Sequence, residues 1–287
     1  MPEARIGIIG GSGLYDMAGL EDVQHMALET PFGDPSGKYV VGKLAGKPVA
    51  FLARHGQGHK LLPSELNFRA NIFGFKLLGA EHILSASAVG SLKEDVHPLD
   101  VLIPDQFIDR TRGRISTFFG NGIAVHVEFS KPFCARLSKL MVEAGRKVDA
   151  RIHEGGTYVC MEGPQFSTLA ESELYRSWGA HVIGMTNLQE AKLAREAEMS
   201  YATLALVTDY DCWHGSHESV TVAQIIENLQ KNAETARQII VETVRNVDLD
   251  EPSPHANALQ YAIITQPDHI PENIKRDLAP LIGKYVN

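Results

Sequence analysis

The stretch ATLALVTDYDCW, residues 202–213, organises the predicted fold, because an apolar run ends there abruptly in acidic residues. Thr203–Val207 is short, apolar and typical of a strand that is buried on both faces of a sheet. Asp209 and Asp211 follow it, and side chains two residues apart in an extended segment point to the same face. Two carboxyl groups together at the end of a buried strand would repel each other, so one is expected to resist ionisation. A solvated turn is the alternative that this stretch alone leaves open.

Composition and charge limit the class of protein. The 287 residues are 44% hydrophobic and 22% charged, which is typical of a globular protein with a substantial core. The net charge of −8, without any basic block, argues against nucleic acid as a partner. Three cysteines lie far apart without metal-binding spacing, which favours a reducing compartment. Without a leader pattern or a membrane-length apolar stretch, the expected location is cytoplasmic, with no membrane partner.

Strand patterns alternate with helix patterns along most of the chain. The predicted strands are 5–9, 39–44, 48–53, 81–88, 101–103, 152–161, 181–184 and 203–207. The predicted helices are 63–78, 132–144, 169–178, 188–198, 220–244, 257–264 and 271–281. This alternation predicts an α/β fold, a single three-layer α/β/α domain with a mostly parallel, twisted mixed sheet. Residues 1–250 are expected to form the main domain and 251–287 a helical C-terminal extension of it.

Polar groups that a core does not need follow several of these strands. The glycine-rich turn at 10–13 can bring backbone N–H groups and the Ser12 hydroxyl close to an anion, although it matches neither a dinucleotide-binding nor a P-loop pattern. Arg54 is suited to bidentate capture of a phosphate or carboxylate group. Each feature alone also fits a tight turn or a helix cap. Together they predict one pocket at the carboxyl edge of the sheet, with an anion site beside an acid site.

Other polar and aromatic residues support weaker predictions. His55 and His59 have helical spacing, but two intervening glycines disfavour a helix, so no metal site is predicted. Phe166 lies in a loop and would be exposed unless it packs against something planar. His126 stands alone and by itself favours a structural role. The long helix over 220–244 carries an apolar stripe that predicts core packing and includes Val222, Ile225 and Ile226.

An ordered set of motifs extends over roughly residues 6–244. They are GIIGGSGLYD (7–16), TPFGDPSG (30–37), ARHGQGH (53–59), ASAVGSL (86–92), DQFIDRT (105–111), EGPQFST (162–168), AESELYRSWGAHVIGMT (170–186) and VTDYDCW (207–213). The set resembles the purine nucleoside phosphorylase superfamily and, within it, the S-methyl-5′-thioadenosine phosphorylase branch. The resemblance implies a nucleoside phosphorylase-like fold. It also implies phosphorolysis of S-methyl-5′-thioadenosine to adenine and 5-methylthioribose 1-phosphate, a salvage reaction for purine and methionine.

The resemblance also assigns roles to residues. It implies that phosphate is bound by Ser12, Arg54, His55, Ser87, Ala88 and Thr186. Animal members tend to have threonine where this chain has Ser12 and Ser87, and either residue supplies the hydroxyl. The implied nucleoside contacts are Phe166 and Ser167 at the base, Met185 at the ribose, Asp209 and Asp211 at the purine edge, Val222, Ile225 and Ile226 at the methylthio group, and His126 from a neighbouring subunit.

The resemblance assigns catalysis to Asp209 and Asp211. A neutral Asp209 would donate a hydrogen bond or a proton to the purine N7 as the glycosidic bond breaks. An ionised Asp211 would accept from a 6-amino group and disfavour a 6-oxygen. The family implies no cofactor, with inorganic phosphate as co-substrate, and a homotrimer or homohexamer. The open alternatives are a 6-oxopurine nucleoside or methylthioinosine phosphorylase, a hydrolytic nucleosidase and a nucleoside-binding sensor.

Overall fold

The computed structural model describes residues 3–11, 14, 19–215 and 222–286, with the side chains of 222–225 excepted. Within these residues the chain forms eleven strands and seven α-helices. The strands are β1 (Ile6–Gly10), β2 (Glu21–Met26), β3 (Tyr39–Leu44), β4 (Lys47–Ala53), β5 (His82–Ser91), β6 (Val101–Ile103), β7 (Gln106–Arg110), β8 (Ile152–Glu154), β9 (Thr157–Met161), β10 (Val182–Gly184) and β11 (Ser200–Asp209). The helices are α1 (Phe68–Leu77), α2 (Ala135–Lys147), α3 (Leu169–Ser177), α4 (Asn187–Glu196), α5 (Val222–Asn246), α6 (Glu272–Asp277) and α7 (Ala279–Val286).

Strand β5 is the centre of the sheet because it pairs with three other strands. Along His82–Ala86, one edge of β5 pairs in parallel with β1, while the other edge pairs in parallel with β11 as far as Gly90. β1 ends at Gly10, and β10 joins β5 in antiparallel fashion only at Gly90–Ser91. Since β11 occupies the opposite edge, β10 must lie on the edge that β1 has left. In the described part of the chain the sheet therefore opens beside Ser87–Val89.

Helices cover both faces of this mixed sheet. α1 and α4 lie on one face, and α2 and α5 lie on the other. Neighbouring residues of β5 point to opposite layers, as strand geometry requires: Ile83 belongs to the core under α1 and α4, and Leu84 to the core under α2 and α5. The predicted α/β class and layering are confirmed. None of the helices among the described residues is both long and apolar enough to cross a membrane.

Four predicted elements differ from the structure, and one of them is the helix expected over 271–281, which is interrupted at Leu278 between α6 and α7. The strand expected over 152–161 is divided at Gly155–Gly156 into β8 and β9, which pair with different neighbours, β6 and β10. Both glycines have positive φ angles, so the chain turns there at little steric cost. The helix expected over 63–78 becomes a 3₁₀ turn at Pro63–Glu65 followed by α1. The helix expected over 257–264 is a series of turns, because Ile263 pairs instead with Val125 as an isolated β-bridge.

The C-terminal residues pack on the main core and are tied to the end of α4. Leu281, Ile282 and Val286 belong to the core layer under α1 and α4. Glu198, buried just beyond the C-terminus of α4, accepts hydrogen bonds from Tyr285 Oη (2.5 Å) and the backbone N–H of Leu259, and Lys284 lies 2.7 Å from its carboxylate. Three contacts to one buried carboxylate hold these segments against the rest of the protein.

His82, at the start of β5, is buried without hydrogen-bond partners. It is 1% exposed, and neither ring nitrogen has a partner within the described residues. Burial, with a further contribution from Arg136, lowers the pKa of His82 to about 4. A neutral imidazole is tolerated in this position, whereas a protonated one would place an uncompensated charge in the core.

The acid stability of the protein is expected to depend on His82. Because the unfolded chain binds this proton near pH 6.5 and the folded chain only near pH 4, stability present above pH 6.5 is lost as the pH falls toward 4. Between pH 7 and pH 5 the loss from this group is about 2 kcal/mol. Urea unfolding of His82→Leu should show a loss smaller by that amount, with the exposed His25→Leu as control. Equal losses in wild type and His82→Leu would contradict the prediction.

Candidate active site

The opening beside Ser87–Val89 is the base of a cleft of about 220 Å³. It lies at the carboxyl ends of β1, β5 and β11, where open α/β sheets bind ligands. Nine of the predicted site residues line it, which are Arg54, His55, Ser87, Ala88, Phe166, Met185, Thr186, Asp209 and Asp211. The expectation that polar strand ends meet in one pocket is therefore confirmed for these residues.

Arg54 follows β4 and is 1% exposed. Its guanidinium donates to Glu190 through Nε (2.5 Å) and Nη2 (3.1 Å), to Ser85 Oγ through Nη2 (2.6 Å) and to the Ala86 carbonyl through Nη1 (3.0 Å). The bidentate face that was expected to capture an anion is therefore occupied by Glu190. Arg54 has five N–H groups in all, so within the described part of the chain one N–H, on Nη1, is left for a ligand.

His55 is held next to Arg54 in a defined tautomer. Its Nδ1 lies 2.8 Å from the Leu61 carbonyl oxygen, which can only accept, so Nδ1 carries the proton. Burial, followed by the charge of Arg54, lowers the pKa of His55 to about 4. The ring is therefore neutral at pH 7, with Nε2 as a hydrogen-bond acceptor. His59 stacks on it with ring centroids 4.2 Å apart, so the two histidines are packed together as rings.

Hydroxyl groups lie on the same side of the cleft as Arg54. Ser87 and Thr186 are each 5% exposed, and both line the cleft with Ala88. Thr186 is the residue before α4 and makes no capping hydrogen bond to the helix, so its hydroxyl is not committed to the backbone there. Together with the remaining N–H of Arg54, these groups can supply donors to an anion. Ser12, the other hydroxyl predicted in this subsite, lies outside the described residues.

Asp209 also lines the cleft, at the end of β11. A β-bulge in β11 shifts the register between Val207 and Asp209, and such bulges re-aim side chains. Its carboxyl accepts hydrogen bonds from Thr208 Oγ1 (2.7 Å) and from the backbone N–H of Asp211 (2.8 Å). Burial raises the pKa of Asp209 to about 6, while these hydrogen bonds oppose the rise. Repulsion by Asp211 was expected to be the cause, but it contributes less than burial.

Asp211 reaches the cleft from a turn and not from an extended strand. Its φ angle is +53°, so the expected strand geometry, with both carboxyl groups on one face, is wrong. The chain bends because the Asp211 N–H bonds back to Asp209 Oδ1. Burial raises the pKa of Asp211, and the nearby hydroxyls of Ser172 and Ser167 offset part of that rise. Among the described residues, Asp211 Oδ2 is buried without a hydrogen-bond partner. An acceptor in this state is available to a donor on a ligand.

The mouth of the cleft is apolar. Phe166 is 56% exposed and lines the cleft with Met161 and Met185, which provides a surface for a planar ring. Ser167 lies beside Asp211 and within 3.8 Å of the Met161 sulfur, next to the cleft and not in its lining.

Sequence reasoning missed Arg114, which orders this side of the cleft. Its guanidinium binds the Glu162 carboxylate at 3.0 Å, as well as the backbone carbonyls of Glu162 and Met185.

Sequence reasoning also missed Glu190 and Asn187, on α4. Both are at most 2% exposed although their residue types predict a solvated helix face, and no spacing in the sequence indicates that they are buried.

Four other predicted nucleoside contacts lie outside the cleft or have side chains outside the described residues. His126 borders a separate depression with Arg195, His255 and Tyr261, and does not line the cleft of its own chain. Ile226 is 49% exposed and is also not part of the cleft lining. The side chains of Val222 and Ile225 lie outside the described residues.

Comparison with known proteins gives a consistent result over the whole chain. Residues 5–245 match the family model described as the phosphorylase superfamily. The S-methyl-5′-thioadenosine phosphorylase of Thermosynechococcus vestitus is 60% identical over 99% of both chains. That of Gloeobacter violaceus is 59% identical over 99% of this chain and 97% of its own.

Solved structures are similar over nearly the same length. A methylthioadenosine phosphorylase from an antarctic soil metagenomic library has a TM-score of 0.93 and 49% identity, with 98% of this chain and 99% of the other covered. Methylthioadenosine phosphorylase from Schistosoma mansoni, in complex with adenine, has a TM-score of 0.83 and 33% identity over 98% of both chains. The chain therefore belongs to the phosphorylase superfamily, and within it to the family of the S-methyl-5′-thioadenosine phosphorylases.

Proposed function

We propose that this protein catalyses phosphorolysis of S-methyl-5′-thioadenosine, giving adenine and 5-methylthioribose 1-phosphate. The observation that carries the proposal is that Arg54, the hydroxyls of Ser87 and Thr186, and Asp209, whose pKa is raised to about 6, line a single cleft. This pairs groups that can bind phosphate with a carboxyl group that can protonate a leaving base. The sequence similarity to S-methyl-5′-thioadenosine phosphorylases specifies the substrate.

In the proposed mechanism the bond between the ribose C1′ and the purine N9 breaks, and its electron pair remains on the purine. The sugar becomes cationic, and a phosphate oxygen held by Arg54, Ser87 and Thr186 stabilises it and then bonds to C1′. Asp209 donates a proton to N7, so that the base leaves as neutral adenine. The proton lost by monohydrogen phosphate balances the one gained by adenine, and Asp209 ends the cycle protonated as it began.

Asp211 favours an adenine base in this proposal. An ionised carboxylate accepts a hydrogen bond from an exocyclic amine, whereas it repels the 6-oxygen of hypoxanthine. Its unpartnered Oδ2 supports this role, because a buried acceptor without a donor is stabilised when a ligand supplies one. The preference for a 5′-methylthio group rests on apolar contacts, which discriminate against a hydroxyl by roughly 1–3 kcal/mol.

Product release with and without phosphate distinguishes the candidate functions. We expect adenine to form from S-methyl-5′-thioadenosine only when phosphate is present, with much slower hypoxanthine release from methylthioinosine. Chromatography of the free bases provides the measurement. Faster hypoxanthine release would favour the 6-oxopurine alternative and contradict the role of Asp211. Release without phosphate would indicate a hydrolytic nucleosidase, and binding without turnover a sensor.

The variant Asp209→Asn tests the proton donor. Its kcat should fall by about 10²–10⁴-fold, because an amide cannot supply a proton to N7. The folded protein should become more stable at pH 8 by roughly 1–3 kcal/mol, because a raised carboxyl pKa costs stability once the pH exceeds it. The stability gain should shrink as the pH falls below 6 and disappear below the unfolded-state pKa of 3.8, where the carboxyl is protonated in both states. Near-normal turnover in a folded Asp209→Asn protein would exclude this role.

We propose a cytoplasmic homotrimer, or a homohexamer, in which His126 of one subunit completes the site of its neighbour. The position of His126 outside its own cleft supports a shared site. The proposed enzyme needs no cofactor, and phosphate is a co-substrate. Activity should elute from a size-exclusion column at the mass of the oligomer and fall in the variant His126→Ala. Full activity in a monomer fraction would contradict the shared site.

A further inference from the structure

We infer that Glu190 is a positioning residue for phosphate, because it fixes the plane of the Arg54 guanidinium, on which the described residues leave a single N–H, on Nη1, for the anion. The inference rests on the proposed function, since it concerns the phosphate subsite of that same cleft. It assigns a role to a residue on α4 whose side chain is 2% exposed.

The hydrogen bonds of Arg54 leave little freedom to its guanidinium. Nε and Nη2 form a side-on pair with the two carboxylate oxygens of Glu190, and the second N–H of Nη2 donates to Ser85. One N–H of Nη1 donates to the Ala86 carbonyl. Nη1 also faces Gly11, where a Cβ atom would lie 3.1 Å from it. The remaining N–H is thus on the nitrogen nearest the glycine turn that follows β1.

Glu190 is itself held in place by two hydroxyl groups. Its Oε2 accepts hydrogen bonds from Ser85 Oγ (3.0 Å) and Tyr201 Oη (2.8 Å), in addition to the bond from Arg54 Nη2. A buried carboxylate with several donors has one favourable orientation, and it transmits that orientation to the cation it binds. The pair also neutralises a guanidinium charge that burial would otherwise make very costly.

The same helix connects Glu190 with the hydroxyls of the subsite. Thr186 precedes α4, and Asn187 in its first turn donates to Ser85 Oγ (3.0 Å) and accepts from Tyr158 Oη (3.0 Å). Tyr158 Oη lies 3.5 Å from the hydroxyl of Ser87. Thr186 lies in the lining of the cleft, and Glu190, four residues further along the chain, binds Arg54. The start of α4 therefore orients both the cation and the hydroxyls that would contact phosphate.

The variant Glu190→Gln tests this assignment with little change of shape. Gln retains one acceptor but loses the charge and the side-on pair, so the guanidinium is free to tilt away from the anion. We expect the KM for phosphate to rise about tenfold to hundredfold, while the KM for the nucleoside changes less than about threefold. Glu190→Asp keeps the charge on a shorter side chain and should recover part of the phosphate KM.

Glu196→Gln is the matched control. Glu196 is on the same helix and is 7% exposed, and it accepts hydrogen bonds from Thr117 Oγ1 (2.7 Å) and the backbone N–H of Phe118 (2.8 Å), away from the cleft. The KM for phosphate should be unchanged in this variant. Steady-state kinetics with each substrate varied, and thermal melting to verify folding, provide the readouts. An equal rise in both variants would show a general structural effect and overturn the inference.

The remaining outcomes also decide the question. An unchanged or lower phosphate KM in folded Glu190→Gln would overturn the positioning role. If that variant does not fold, Ser85→Ala and Tyr201→Phe each remove one hydrogen bond to Glu190 and should raise the phosphate KM about threefold. No rise in either would overturn the inference. Phosphate-independent turnover by the wild type would instead refute the proposed function, so the two failures are distinguishable.

Discussion

The cleft exists because the strand paired with one edge of β5 changes along its length, from β1 to β10. Backbone N–H and C=O groups in a sheet must be paired, and β5 achieves this with β1 along its first half and with β10 only at its end. Between those two strands the sheet opens, while β11 on the opposite edge keeps β5 straight and buried. The opening therefore leaves β5 buried in the core, and it exposes the carboxyl ends of three strands to one ligand-sized space.

Arg54 and Asp209 line the same cleft, and burial affects them differently. Arg54 is compensated by Glu190, so its charge persists at 1% exposure and is directed by its hydrogen bonds. Among the described residues Asp209 has a hydroxyl and an N–H as hydrogen-bond partners and no cation, and burial raises its pKa to about 6. The same environment thus produces a charged donor and a carboxyl group with a raised pKa, through the presence or absence of one counter-charge.

The strand ends were predictable because their chemistry is local. The glycine-rich turn after β1, Arg54-His55 after β4 and Asp209 at the end of β11 each follow an apolar run, and period-two burial places such ends at one edge of a parallel sheet. The same reasoning failed where tertiary contacts intervene. Asp211 lies in a turn with positive φ, and residues 257–264 form turns because Ile263 pairs with Val125. Neither the turn at Asp211 nor the bridge between Ile263 and Val125 has a signature in local spacing.

The sequence by itself determined the alternation of strands and helices, the layered fold, the family and about half of the residues that line the cleft, because apolar periodicity and motifs are properties of short segments. Tertiary structure alone decided how those residues act. It paired Nε and Nη2 of Arg54 with Glu190, fixed the tautomer of His55 through Leu61, and raised the pKa of Asp209 to about 6 through burial. Glu190 lies 136 residues from Arg54 along the chain. Desolvation and hydrogen bonding between such distant segments exist only after the chain has folded, which is why no local pattern could reveal them.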